Sequence, residues 1–217
     1  MCGRYTVFTD AEIAEMNAII AEIGRLYGDS AVSAIKRGEV YPTNTAPILS
    51  MEGSALSPRP SKWGFPKWDG KGVIINAKAE TVQKLPTFSN TRNVYRSQPP
   101  EFVSPIDERR CVIPSTGFYE WKHVDGKSTK EKYLLRFPDS DMLYMAGIAN
   151  VFQDAAGQPF ETFCILTTAA SRSVAEVHNR MPVILKPCEL EMWLKDKSFM
   201  VEALARDGPE LLLTKAA

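Results

Sequence analysis

Between about Val40 and Phe163 the chain breaks repeatedly into short β-rich runs separated by Pro and Gly, a pattern that commits the body of the protein to sheet. The runs are "APILS", "GVIINAKAE", "RRCVIPSTGFYEWK", "KYLLRF", "MLYMAGIAN" and "TFCILTT". Helical signals lie outside this block. At the start, "TDAEIAEMNAIIAEIGRLYG" carries Ile13, Met16, Ile20, Ile23 and Tyr27 at helical spacing, with Thr9 and Glu12 as a capping box and Gly28 as the stop. At the end, "SRSVAEVH", "PCELEMWLK" and "SFMVEALAR" read as helices, the second opened by Pro187 and the third closed by Gly208. The expectation is an α+β fold in a single domain over 1–217, because 217 residues of which 44% are hydrophobic suffice for one real core.

Composition excludes several classes of function. Lys+Arg and Asp+Glu balance at 26 each, so no global charge draws a polyanion, and a nucleic-acid surface has to be a local basic patch. Cys2, Cys111, Cys164 and Cys188 are widely spaced without a C-x-x-C, and there are two histidines. That argues against a disulfide framework and a metal site, so reduced thiols, no metal and no cofactor are expected. No apolar run approaches a membrane span and no targeting segment is visible, which places the expected protein off the membrane, in the cytoplasm or at the nucleoid. Nothing suggests an obligate assembly, so a monomer is expected. Residues 84–110 contain four prolines and many polar side chains and read as one long surface loop, of a length that tends to carry function.

The opening "MCGRY" carries the most reactive pattern. Removal of Met1 would leave Cys2 with an α-amine titrating at about 8 and a thiol at about 8.5, so both are partly nucleophilic near neutral pH. The structural alternative is a small buried hydrophobe at the start of a strand. Period-two alternation then sorts other polar side chains. In "GVIINAKAE", Ile75, Ala77 and Ala79 share one face while Ile74, Asn76, Lys78 and Glu80 share the other. In "STGFYEWK", Tyr119 and Trp121 oppose Phe118, Glu120 and Lys122; taken alone, such a strand glutamate reads as solvent-facing. His178 closes "SVAEVH" just before Met181, which Pro182 keeps extended, so the imidazole sits at a helix-to-strand corner.

Together, and in this order, "MCGRY", "WGFPKW", "INAKAET", "GFYEWK" and "HNRMPVIL" resemble the SRAP family, the SOS-response-associated peptidases understood as abasic-site shields. The resemblance covers residues 1 to about 195. It implies a mostly antiparallel, barrel-like β fold with flanking helices, and single-stranded DNA containing abasic sites as the partner. It also implies a covalent reaction at the trimmed N-terminus, in which the aminothiol of Cys2 takes the abasic aldehyde as an imine and then as a thiazolidine. By the same resemblance Glu120 shuttles protons during sugar opening and later ring closure or reversal, His178 holds and protonates the sugar oxygen and assists slow strand cleavage or release, and Asn76 fixes the amine or the sugar.

Arg4, Lys78 and Arg180 lie within the matched motifs and are the cations assigned to phosphates, with salt-sensitive binding as the consequence. Lys78 departs from the arginine common at its position and loses the bidentate fork. Trp63, Phe65 and Trp68 offer a stacking wedge for unpaired bases, and Trp68, beside Lys67 and Asp69, is the one assigned to DNA. Arg92, Arg96, Arg109 and Arg110 stay unassigned. Two alternatives remain open at this level. Class II glutamine amidotransferases also use an N-terminal cysteine, although their oxyanion site usually comes from an Asn-Gly dipeptide and this chain has none. A non-covalent single-stranded-DNA binder would use Cys2 only for packing. The older peptidase name adds self-processing of Met1.

Overall fold

The computed structural model describes residues 2–10, 13–89, 104–124 and 129–216. The first part of the chain forms β1 (Tyr5–Val7), α1 (Ala14–Tyr27), α2 (Asp29–Ala34), β2 (Gly38–Val40), β3 (Thr45–Glu52) and β4 (Ala55–Trp63). The middle contributes β5 (Phe65–Pro66), β6 (Val73–Ile74), β7 (Asn76–Lys78), α3 (Pro86–Ser89), α4 (Pro105–Glu108), β8 (Arg110–Ser115), β9 (Gly117–His123) and β10 (Lys130–Arg136). There follow β11 (Leu143–Gln153), β12 (Pro159–Ala169), α5 (Arg172–Ala175), β13 (Arg180–Pro182), β14 (Ile184–Leu185), α6 (Leu190–Lys195), α7 (Lys197–Ala205) and β15 (Leu212–Lys215).

Five strands close on themselves. β4 pairs with β3, β3 with β8, β8 with β11 and β11 with β12, all antiparallel, and β12 returns to β4 in parallel, so the ring has no free edge. β7 and β13 extend β12, and β14 extends β11. A second, wholly antiparallel sheet runs β15-β10-β9-β1-β2. Tyr5 of this second sheet packs edge-on against Trp63 at the end of β4, with ring centroids 5.1 Å apart, and both are fully buried. The fold is thus α+β and mostly antiparallel, with a barrel-like ring and flanking helices, as the sequence and the resemblance imply.

Local differences have physical causes. α1 begins at Ala14 with Ile13 at its N-cap and no side-chain cap, so Thr9 does not serve; Glu12 lies outside the described residues. The burial of Met16, Ile20 and Ile23 anchors that helix. "RRCVIPSTGFYEWK" is two strands in two sheets, divided before Gly117, whose φ of 146° suits glycine. A Cβ there would lie 2.8 Å from the Leu135 carbonyl oxygen. That crossing carries Glu120 out of the ring and into the sheet that holds β1. Of the expected loop 84–110, the two ends fold as α3 and α4, whereas 90–103, with Arg92 and Arg96, lie outside the described residues. Arg109 is half-buried and Arg110 is buried, donating to the carbonyls of Ile106, Asp107, Trp193 and Leu194, a packing role. "SRSVAEVH" makes one helical turn, α7 stops before Gly208, and β15 went unread in the sequence. Among the described residues no helix is long and apolar enough to cross a membrane.

The cysteines are free, with Cys188 exposed and Cys2, Cys111 and Cys164 buried. Burial pushes all three buried thiols well above the ordinary value of 9.0. Their contribution to stability is therefore complete below that value and is lost above it, where unfolded thiols ionise and native ones do not. Each costs about 1.4 kcal/mol per pH unit in that alkaline range. Thermal melts should show Tm falling from about pH 9 upward, and a flat Tm across this range would contradict the burial.

Candidate active site

The site starts with the arm ahead of β1. Cys2 is fully buried, and its carbonyl accepts a hydrogen bond from Asn76 Nδ2 at 2.8 Å, which ties the N-terminal arm to β7. Its Sγ lies 3.7 Å from the Arg4 carbonyl, which also takes the Tyr119 N–H at 2.8 Å and so locks the arm against β9. Burial, and secondarily the charge of Glu120, hold the Cys2 thiol in its protonated form. Glu120 is 4% exposed, which corrects the solvent-facing reading of that residue taken alone. Both faces of β9 are covered at this point, since Phe118, Tyr119 and Glu120 are all buried.

Above this arm opens a cleft of about 750 Å³, lined by Gly3, Arg4, Glu120, Trp121, His123, Lys130 and the corner Val177–Asn179. His178 thus faces the same space as Glu120. The Arg180 N–H donates to His178 Nδ1 at 3.0 Å, and the Arg180 carbonyl lies 3.2 Å from the same nitrogen, so the Arg180 backbone orients the imidazole. Cys2, Asn76, Glu120 and His178 come from four distant segments, and the fold gathers them. Asn76 reaches Cys2 by hydrogen bond, Glu120 by charge, and His178 shares the cleft with Glu120.

The expected DNA contacts divide. Trp63 and Phe65 are fully buried, Trp63 donating through Nε1 to the Ile75 carbonyl at 3.0 Å, so neither belongs to a stacking wedge. Trp68 is 78% exposed on the turn between β5 and β6. Lys78 is exposed two residues beyond Asn76 on the same strand face. Arg4 and Arg180 are engaged within the protein. The Arg4 guanidinium lies between the rings of Tyr41 and Trp121, 4.2 and 4.8 Å from their centroids, and its Nη1 meets Glu39 at 3.1 Å. Glu39 also binds Lys132 at 2.5 Å. Arg180 grips Glu80 with both Nη atoms and donates to the Thr167 carbonyl at 2.6 Å.

Sequence reasoning missed Tyr41, Glu39, Trp121 and His123. Trp121 stands inside the "GFYEWK" motif, where alternation gives it a strand face and no role at the site, and His123 lies one residue beyond that motif on β9; Glu39 and Tyr41 carried no motif. Among the described residues no three His, Cys, Asp or Glu side chains gather as a metal site.

An N-terminal cysteine pinned beneath a cleft with a carboxylate and an imidazole, on a barrel-like antiparallel frame, defines the class. The chain belongs to the SOS response associated peptidase (SRAP) family, which its residues 1–211 match. It is 32% identical over 209 residues to the abasic site processing protein YoqW of Bacillus subtilis, covering 91% of this chain and 82% of that one. It is 26% identical over 199 residues to the abasic site processing protein YedK of Escherichia coli, covering 91% and 81%. Among solved structures, a Bacteroides thetaiotaomicron protein shares the fold with a TM-score of 0.75 at 22% identity, over 100% of this chain and 92% of that one. A Bordetella bronchiseptica protein does so at 0.72 and 19%, over the full length of both.

Proposed function

We propose that the protein processes abasic sites in single-stranded DNA by bonding to them covalently through Cys2, once Met1 has been removed. The observation that carries this reading is the Asn76–Cys2 hydrogen bond beneath a cleft shared by Glu120 and His178. Similarity to the abasic site processing proteins YoqW and YedK supports the same substrate.

The thiol's raised pKa sets the order of steps. A protonated thiol is a poor first nucleophile, so the α-amine attacks the aldehyde carbon and water leaves to give an imine. The sulfur then adds to the imine carbon while the thiol proton passes to the imine nitrogen, closing a thiazolidine with atoms and charge conserved. Glu120, the carboxylate nearest in effect to the thiol, carries that proton. His178 protonates the sugar ring oxygen as the closed sugar opens to its aldehyde. Asn76 holds the Cys2 backbone and thereby the direction of the amine. Lys78 and Trp68, both exposed, take a phosphate and a base respectively; Arg4 reaches phosphate only by sharing with Glu39, and Arg180 stays engaged with Glu80 and the Thr167 carbonyl.

The test compares two strands, one with a single abasic site and one intact, each incubated with Met1-free protein and run on a denaturing gel. A shift that survives heat and detergent and appears with the lesion alone is expected. Equal, salt-reversible binding of both strands would replace this reading with non-covalent binding.

A further inference from the structure

The side chains expected to do the chemistry sit on opposite sides of one strand. Asn76 belongs to β7, which pairs in parallel with β12 over Ile165–Thr167. The His178 corner leads into β13, which pairs antiparallel with β12 over Thr167–Ala169. Thr167 is matched to both Lys78 and Pro182, so β7 and β13 occupy the two edges of β12. Their relative placement is what brings His178 to the cleft beside the Asn76–Cys2 pair.

One side-chain staple crosses between them. Arg180, at the start of β13, extends over β12 to Glu80, which lies just past the end of β7, and makes a two-pronged ion pair. On the way its Nη2 donates to the Thr167 carbonyl at 2.6 Å, the same oxygen that takes the Ala79 N–H at 2.9 Å. The staple is therefore anchored to both flanks and to the strand between. Arg180 is also the residue whose backbone N–H donates to His178 Nδ1 at 3.0 Å. Its guanidinium is mostly shielded, with 16% of the side chain exposed against 50% for Glu80.

We propose that Glu80 is a positioning residue, which acts through Arg180 to hold the His178 imidazole in register with Asn76 and Cys2. The inference rests on the covalent reading of the site, and it gives Glu80 a role that its half-exposed position on the strand face does not announce. A planar guanidinium held by a carboxylate fork and a carbonyl has little freedom, so the backbone that carries it, and the N–H that orients the imidazole, are fixed with it. Shifts of about 1 Å in a reacting group can cost about a hundredfold in rate.

The test uses Glu80→Gln, which keeps shape and loses charge, and Glu80→Ala, with thermal melts to confirm folding. Three quantities are read: the single-turnover rate of adduct formation on abasic single-stranded DNA, the affinity for an intact strand by fluorescence anisotropy, and the 15N spectrum of the imidazoles. The chain contains two histidines, so His123 serves as the internal reference for His178. Glu80→Gln should slow adduct formation by about tenfold and leave intact-strand affinity within about twofold, while the His178 Nδ1 signal shifts and that of His123 does not. Unchanged rate with an unchanged His178 spectrum would overturn the proposal. So would tighter binding of the intact strand at undiminished rate, because Glu80 would then be a mask over a phosphate-binding arginine. If the unaltered protein forms no adduct, the covalent reading falls, and the imidazole spectra still decide whether Glu80 positions His178. Should Glu80→Ala fail to fold, the Gln variant decides alone.

Discussion

On the proposed covalent reading, Cys2→Ser should reduce the heat-stable adduct to the level seen with an intact strand, while treatment with borohydride should still trap a protein–DNA product. The variant keeps the α-amine, so the imine forms, and hydride reduces its C=N bond to a stable secondary amine. It loses the soft sulfur nucleophile, and an oxygen closing on the imine carbon gives a ring that water reopens readily. The fully buried position of Cys2 makes serine a conservative test of packing as well, since the two side chains are nearly isosteric. Glu120 has no thiol proton left to carry, so a further Glu120→Gln change should slow the trapped product only through its effect on sugar opening. A heat-stable adduct at the unaltered rate in Cys2→Ser would remove the sulfur from the mechanism. Loss of the borohydride-trapped product as well would mean that the amine does not act first.

Trp63→Ala should be the most damaging of the aromatic substitutions, although it lies in the same motif as the exposed Trp68. Trp63 is fully buried, edge-on to Tyr5, stacked on Phe163 with centroids 6.4 Å apart, and hydrogen-bonded to the Ile75 carbonyl. Truncation leaves a cavity between the ring and the β1 sheet and removes one of the two hydrogen bonds the Ile75 carbonyl accepts, the other coming from the Ile165 N–H at 3.1 Å, for a loss of about 3–5 kcal/mol. That is much of the roughly 5–15 kcal/mol a domain possesses. Trp68→Ala touches no packing and should change stability by less than about 0.5 kcal/mol. Its effect should appear instead as a loss of about 1–3 kcal/mol in binding single-stranded DNA. Thermal melts and anisotropy on the two variants separate these outcomes, and a destabilised Trp68→Ala protein with unaltered affinity would reverse the assignment.

The contrast between these two tryptophans shows where sequence is informative. Periodicity assigned the faces of the second half of "GVIINAKAE", where Ala77 and Ala79 are buried while Lys78 and Glu80 are exposed; Ile74, Ile75 and Asn76 are all half-buried, because the run divides into β6 and β7 in different sheets. Alternation works there because one face is wet. It fails for Glu120, whose surroundings come from strands far away in sequence, so that being polar no longer tells in from out. The strand runs were legible from their composition, yet their division between the ring and the second sheet was not, since it turns on the crossing at Gly117. Within the site, the motifs contain Arg4, Arg180 and Glu80 but do not show that Arg4 pairs with Glu39 or Arg180 with Glu80. An ion-pair partner 35 or 100 positions away follows no local period, and only the folded chain selects it.

The placement of β1 has a consequence for synthesis. Tyr5 pairs with Phe118 on one side and Val40 on the other, and the cleft above Cys2 is completed by His178. On a ribosome adding about 5–20 residues per second, the span from Cys2 to His178 takes on the order of ten seconds or more to emerge. For the part of that interval before β9 is made the first strand lacks its second partner, and the cleft stays incomplete until the His178 corner follows. The fold thus divides the life of the cysteine into two periods: an early one in which the arm that carries it is open, and a later one in which it is buried beside the cleft.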